Sequence, residues 1–390
     1  MGFIQGHTKQ RVLSPKTALS THYFLYFGIM GIFLPFFNLF CHHIGLTGLQ
    51  IGAVNAARTI VMVLFAVAWG ALADRLALRR PIFITASCLS AASWSLFLFA
   101  DTFAAIFVVT LVYAAFFGPI IPFLEAFTME ALSGKGENPN RYGRIRAWGS
   151  FSFIAVVLAM GKTLDIFSSR IVIPFILVGS VVMALSSFAI PSSLSPRKRS
   201  TPADFKSLLT PRVLLFLLAG FLMLASHGTY YGFFSIHLEE LGYPPSFTAL
   251  TWGMATLAEV GVMLWAAPLF KKLSTEKSLV ISFVVASLRW LILYFFTNRW
   301  VILGSQLLHA VTYALFHIAC IVHMDRLSTP ANRTLSQVIN NAVSYGLGLM
   351  AGFFISGLFY QKMGGSLFLV SALISLMGAF VMARALVSPP

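Results

Sequence analysis

Apolar residues in this chain come in long runs, and polar residues gather in short clusters between them. The runs fall at about 18–41, 47–73, 81–100, 103–132, 147–164, 171–190, 212–236, 246–270, 278–297, 300–325, 333–360 and 366–387. Coiled as a helix at 1.5 Å per residue, each is long enough to cross the roughly 30 Å of a bilayer's hydrocarbon core. Helices are favoured there because they satisfy their own backbone hydrogen bonds, which lipid cannot do. The pattern predicts an all-α polytopic membrane protein with twelve transmembrane helices. The most polar connector, 191–211, divides it into a six-helix half at 1–190, a linker, and a second six-helix half at 212–390.

Composition agrees: 58% of the 390 residues are hydrophobic and only 10% are charged, too few to cover a soluble surface. Phenylalanine is abundant, with 38 residues, which suits helices facing lipid. The basic residues alternate from loop to loop. Of the 27 Lys and Arg, 21 lie on the face shared by the N-terminus, 191–211 and the C-terminus, and 4 lie on the opposite face. Cytoplasmic loops carry such an excess, so both termini are expected in the cytoplasm and the chain in the cell membrane. The same asymmetry accounts for the net charge of +15 through anionic lipid headgroups, without a nucleic-acid partner. Residues 1–17 are polar and basic, and the run after them is too long for the apolar core of a cleavable leader. Cys41, Cys88 and Cys320 form no metal or disulfide framework, and no cofactor is expected.

The two remaining cations, Arg58 and Arg289, lie inside helices. Glu259 lies 12 residues before Lys271, and Arg289 lies 12 residues after Lys277. Both are therefore about 18 Å deep and at equal depth. An isolated charge there costs at least about 2.5 kcal/mol, which makes an ion pair with a function the leading reading and a purely structural pair the other. On helix 10, Gln306, His309, Tyr313 and His317 fall within about 80° of one another at 100° per residue. That face carries two imidazoles, the side chains most easily titrated near neutral pH. Proton coupling is therefore assigned to Glu259, Arg289, His317, His309 and Glu125, with Glu259 paired to Arg289 and His317 as relay. Glu125 follows Pro119 and Pro122, whose released carbonyls are tolerated at depth only where buried or beside a cavity.

Candidate solute contacts are Arg58 and Asn55 in helix 2, Glu125, His227 and Tyr230 in helix 7, Trp252 and Thr256 in helix 8, Tyr313, and Asn341 in helix 11. Arg58 could bind an anion or pair with another helix. Ordinary helix packing is the competing explanation for Trp252, and a packing hydrogen bond for each histidine. Arg144 and Arg146 are expected to be structural.

Gly70-Ala71-Leu72-Ala73-Asp74-Arg75-Leu76-Ala77-Leu78-Arg79-Arg80 resembles the helix 2–3 signature of the major facilitator superfamily. That resemblance implies a conformational latch at Gly70, Asp74, Arg75 and Arg79. A narrower one rests on Arg141-Tyr142-Gly143-Arg144-Ile145-Arg146-Ala147-Trp148-Gly149-Ser150, Ala258-Glu259-Val260, Arg289-Trp290, Gln306-Leu307-Leu308-His309 and Phe316-His317. Together these resemble the phenylpropionate permease family, related to the lactose permease group of proton symporters. In those relatives, acidic, Arg and His residues of helices 8 to 10 couple protons. Here the only carboxylate late in helix 10 is Asp325, at its cytoplasmic end. The implied function is proton-coupled symport of a small organic solute (an aromatic or other organic acid, a sugar or a nucleoside) by alternating access, with the chain acting as a monomer. Facilitated diffusion and efflux are the alternatives within the fold. A membrane-embedded transferase would want an acid–base pair at the membrane surface, whereas the ionisable residues here are mid-helix, and no phosphate loop, HExxH or GxSxG occurs.

Overall fold

The computed structural model describes residues 14–132, 139–191, 208, 210–329 and 332–387. The side chains of 139–140, 266–272 and 334 are outside the description, as is most of the 191–211 linker. Caps start the helices where the sequence turns polar. The Ser14 side chain accepts from the Thr17 N–H ahead of α1 (Pro15–His43), with Pro15 in its first turn. Thr47 and Gln50 form a reciprocal capping box on α2 (Gly48–Leu76). α3 (Arg79–Phe99) ends in a 3-10 turn. α4 (Phe103–Leu132) is interrupted at Gly118-Pro119, where the missing proline N–H breaks the ladder. α5 (Pro139–Leu164) and α6 (Val172–Ser187) complete the first six.

α7 (Pro211–Glu240) pauses at His227, and α8 (Pro245–Lys272) and α9 (Thr275–Phe295) form the next hairpin, the latter capped by Ser274. α10 (Arg299–Arg326) contains a π-helical turn at Ala310–Leu315. The last apolar stretch, Leu335–Val387, has 53 residues. As one helix it would be about 80 Å long, far more than a bilayer's core. Gly364, at φ +49°, breaks it into α11 (333–363, with a π-helical turn at Asn341–Gly348) and α12 (Leu367–Val387). Twelve spans result, and no strand occurs among the described residues.

The packing is pseudo-symmetric. α1 packs on α5 and α6 as α7 packs on α11 and α12. The pairs α2–α4, α3–α4 and α3–α6 recur as α8–α10, α9–α10 and α9–α12. Across the middle, α2 meets α11 and α5 meets α8. α1 and α7 are the most enclosed spans, while the others show flanks to lipid. Many phenylalanines depart from the lipid-facing expectation. Phe33, Phe36, Phe37 and Phe117 are buried with Trp94 and Tyr113 in an aromatic core inside the first half. α5 also begins earlier than the apolar run at 147, so Arg144 and Arg146 are helical residues, the first exposed and the second half-buried.

Hydrogen bonds join the halves toward the face opposite the termini. His43 Nε2 meets Glu239 Oε2 at 2.8 Å, and the Ser246 N–H donates to Asp165 at 2.9 Å. Asn38 donates to the Gly232 carbonyl at 3.0 Å and accepts from Asn55 at 2.8 Å. α2 and α11 touch backbone to backbone. A Cβ on Gly52 would come 2.6 Å from the Phe353 carbonyl oxygen and 2.7 Å from the Gly357 Cα. The hydrogen bonds described between the halves thus gather toward one end of the bundle.

Candidate functional site

The α8–α9 hairpin carries Glu259 and Arg289 to the same level, 13 residues before Lys272 and 14 after Thr275. The expected direct pair is not formed. His309 of α10 stands between them, with Nε2 2.8 Å from Glu259 Oε1 and Nδ1 2.8 Å from an Arg289 terminal nitrogen. A guanidinium can only donate, so Nδ1 accepts and the ring proton sits on Nε2, donating to the carboxylate. The network thus assigns a neutral imidazole bridging an anion and a cation. A straight-helix angle count could place His309 on the right face of α10 but not between two residues of other helices.

Arg289 is fully buried. Its other terminal nitrogen donates to Gln306 Oε1 at 2.8 Å, and that oxygen also accepts from the Tyr230 hydroxyl at 3.1 Å. The guanidinium lies 4.2 Å from the Tyr230 ring centroid and 4.8 Å from that of Trp290. These stacked faces and acceptors hold a charge that no described carboxylate touches directly. Glu259 differs from the rest: its side chain is 19% exposed against 4% for His309, so the acid is the most accessible member of the chain.

The π-helical turn begins one residue after His309. It inserts an extra residue into the helix and turns the following side chains. His309, Tyr313 and His317 nevertheless form a near-parallel pile, with centroids 5.3 Å and 6.4 Å apart. His317 makes no hydrogen bond to the Glu259 pair. Its Nδ1 meets the Tyr345 hydroxyl at 2.6 Å, from the π-helical turn of α11. Tyr345 escaped the sequence reading, although nearby Asn341 stood out as a polar position.

The remaining candidates separate. Trp252 is buried, donates to the Ser235 hydroxyl at 3.2 Å and stacks on Tyr230, 5.1 Å away. His227 is buried against Trp290 and bonded to the Met223 carbonyl. Asn55 gives its amide to Asn38 and to its own helix at Ile51, within the seal. Thr256 is half-buried and Asn341 exposed. Glu125 is exposed in α4 and interacts electrostatically with Arg146. Arg146, expected to be structural, lies 3.8 Å over the Phe27 ring and acts electrostatically on both Glu125 and Glu259, one in each half. Its motif was visible in the sequence, but its direction depends on α5 starting at Pro139. Asp74 forms an ion pair with Arg79 at 2.7 Å, within the first half, and Arg75 is exposed. Arg58 is buried away from the α8–α10 network, in the first half. No cluster fit to hold a metal ion occurs among the described residues.

The profile of the MFS_1 like family matches residues 16–370. The chain belongs to that family of major facilitator transporters. A probable 3-phenylpropionic acid transporter of Escherichia coli K12 is 28% identical over 380 residues, covering 95% of this chain and 98% of its own. The maltose permease of Geobacillus stearothermophilus is 23% identical and covers 94% of this chain and 93% of its own. Among solved structures, the nucleoside transporter NupG superposes with a TM-score of 0.84 at 17% identity, covering 97% of this chain and 100% of NupG. The fold is therefore that of the superfamily, and this family member is a multi-pass membrane transporter, not an enzyme.

Proposed function

We propose that this transporter couples the movement of a small organic solute to protons by alternating access between two six-helix halves, 1–190 and 212–390. The observation that carries the reading is the buried chain Glu259–His309–Arg289–Gln306, most exposed at its acid. A proton taken by Glu259 removes the negative charge that the His309 Nε2–H faces, and the bridge to Arg289 loses its anchor. Its release restores the bridge. Proton uptake is thereby linked to how α8, α9 and α10 sit together, with no chemical step. The part expected of His317 is electrostatic: it acts on Glu259 from beyond Tyr313 in the ring pile, while its own hydrogen bond goes to Tyr345.

The end where hydrogen bonds join the halves is the outer one if the termini are cytoplasmic, so Glu259 is reached from the cytoplasm. Asp74 and Arg75 serve as a latch in the state where the cytoplasmic side closes. Relatives named for 3-phenylpropionate, maltose and nucleosides supply the first solutes to try. The test is uptake into proteoliposomes with and without an imposed pH gradient. Accumulation that follows the gradient, and that Glu259→Gln abolishes while equilibrium exchange continues, is the expected result. Equal uptake with and without the gradient would make the protein a facilitator and end the coupling argument.

A further inference from the structure

Arg58 stands apart from the coupling chain. It is only 6% exposed, at the level of the aromatic core of the first half. Its partners are a thioether, Met62 Sδ at 3.3 Å, and the face of Phe33, with the guanidinium carbon 4.7 Å from the ring centroid. Its Nε–H has no acceptor. Among the described residues no carboxylate forms an ion pair with it: Asp74 and Asp101 are paired with Arg79 and Arg170, and Glu125 interacts with Arg146. A buried guanidinium without a counter-charge is costly, by several kcal/mol even after relaxation.

The surroundings repeat the same deficiency. The Tyr113 hydroxyl of α4 and the Ser90 hydroxyl of α3 are buried, and neither has a hydrogen-bond partner beyond the other. Tyr113 and Tyr26 both act electrostatically on Arg58. Counted along their helices, Arg58 is 10 residues from Gly48, Tyr113 is 10 from Phe103, and Ser90 is 9 from Phe99. The three thus share one depth on adjacent helices. They offer N–H and O–H donors with a positive charge and no acid. Native proteins pair their buried donors, so a guanidinium N–H with no acceptor, beside two hydroxyls that have only each other, asks for an acceptor that is itself negative.

We infer that Arg58, Tyr113 and Ser90 form a binding site for a small monoanion, either a carboxylate or a halide. The carboxylate source rests on the transport reading above, in which the group belongs to the solute and Phe33 and Trp94 border it with aromatic surface. The halide source does not depend on that reading.

The test is thermal unfolding of the purified full-length protein in detergent and a halide-free buffer of a bulky sulfonate. It is titrated separately with 3-phenylpropionate, benzoate, acetate, chloride and neutral 3-phenylpropanol. A saturable rise in the unfolding midpoint is expected with an anion and not with the alcohol. A response to carboxylates assigns the site to the solute, and a response to chloride alone assigns it to an inorganic ion. Arg58→Gln removes the response. Tyr113→Phe and Ser90→Ala, which keep the charge and shape, each weaken the apparent affinity on the order of 10-fold. No saturable response to any anion overturns the inference. So does a response that survives Arg58→Gln and disappears in Arg146→Gln. Binding at equilibrium needs no gradient, so a failure of proton coupling leaves this result intact.

Discussion

The bridging imidazole can be tested by separating its geometry from its ability to take a proton. His309→Leu removes the donor to Glu259 and the acceptor for Arg289 together. Two hydrogen bonds to charged groups would be worth about 1.5–3 kcal/mol each by soluble-protein standards. Two features reduce that figure. Arg289 keeps Gln306 and the faces of Tyr230 and Trp290, and Glu259 is exposed enough to turn toward solution. Membrane-embedded hydrogen bonds also average only about 0.6 kcal/mol, because the unfolded chain in lipid finds other partners. The expected loss is therefore about 1–3 kcal/mol, read as a lower unfolding midpoint in detergent, together with loss of gradient-driven accumulation. His309→Gln is the informative partner. A glutamine can accept from Arg289 with its oxygen and donate to Glu259 with its nitrogen, yet does not titrate. It should keep most of the stability and still accumulate solute under a pH gradient. A His309→Leu protein as stable as the native one would show that the bridge holds nothing. A His309→Gln protein that is stable but uncoupled would show that the imidazole itself carries the proton.

Other consequences are equally direct. Gly52→Val should prevent α2 from reaching α11 and leave the seal leaky, measured as labelling of a cysteine at Asn38 from the side opposite the termini; unchanged protection would remove the glycine contact from the account. His43→Ala removes a half-exposed link, so its effect on stability should stay within about 1 kcal/mol, while labelling at the seal rises. Asp74→Asn should slow transport and shift accessibility between the two sides; unchanged values for both would end the latch assignment. A cysteine at Ser200 should react with an impermeant reagent only from the cytoplasmic side, and reaction from outside would invert the topology.

The twelve spans were legible because run length and loop charge are local properties that a bilayer reads directly. The depth of Glu259 and Arg289 was legible for the same reason: counting from a charged turn fixes depth. Their connection was not. Which residue lies between α8 and α9 depends on how α10 leans against both, and on a π-helical turn at Ala310–Leu315 that no straight-helix count includes. Asn55 looked like a cavity residue from its polarity, yet its amide joins Asn38 in the seal, a partner 17 residues away across a hairpin. Arg58 kept two readings open in sequence because the deciding fact, whether any acid lies nearby, is a property of the folded neighbourhood. The place of Arg146 depends on a boundary: with α5 starting at Pro139, the guanidinium lies over Phe27 and acts electrostatically on Glu125 and Glu259.

The seam between α2 and α11 has a consequence for how the protein senses its surroundings. Where Gly52 and Gly357 meet, the fit is between two main chains, so neither acidity nor ionic strength has a group there to act on. The charged groups that join the halves on this face, His43 with Glu239 and Asp165 with the Ser246 N–H, lie outside that contact. The other end of the bundle displays Asp74, Arg75 and Arg79, whose attractions weaken as salt rises. The two ends of the bundle are thus built from different materials. Changing the medium should shift one much more than the other, and so bias the resting orientation of the carrier without any ligand.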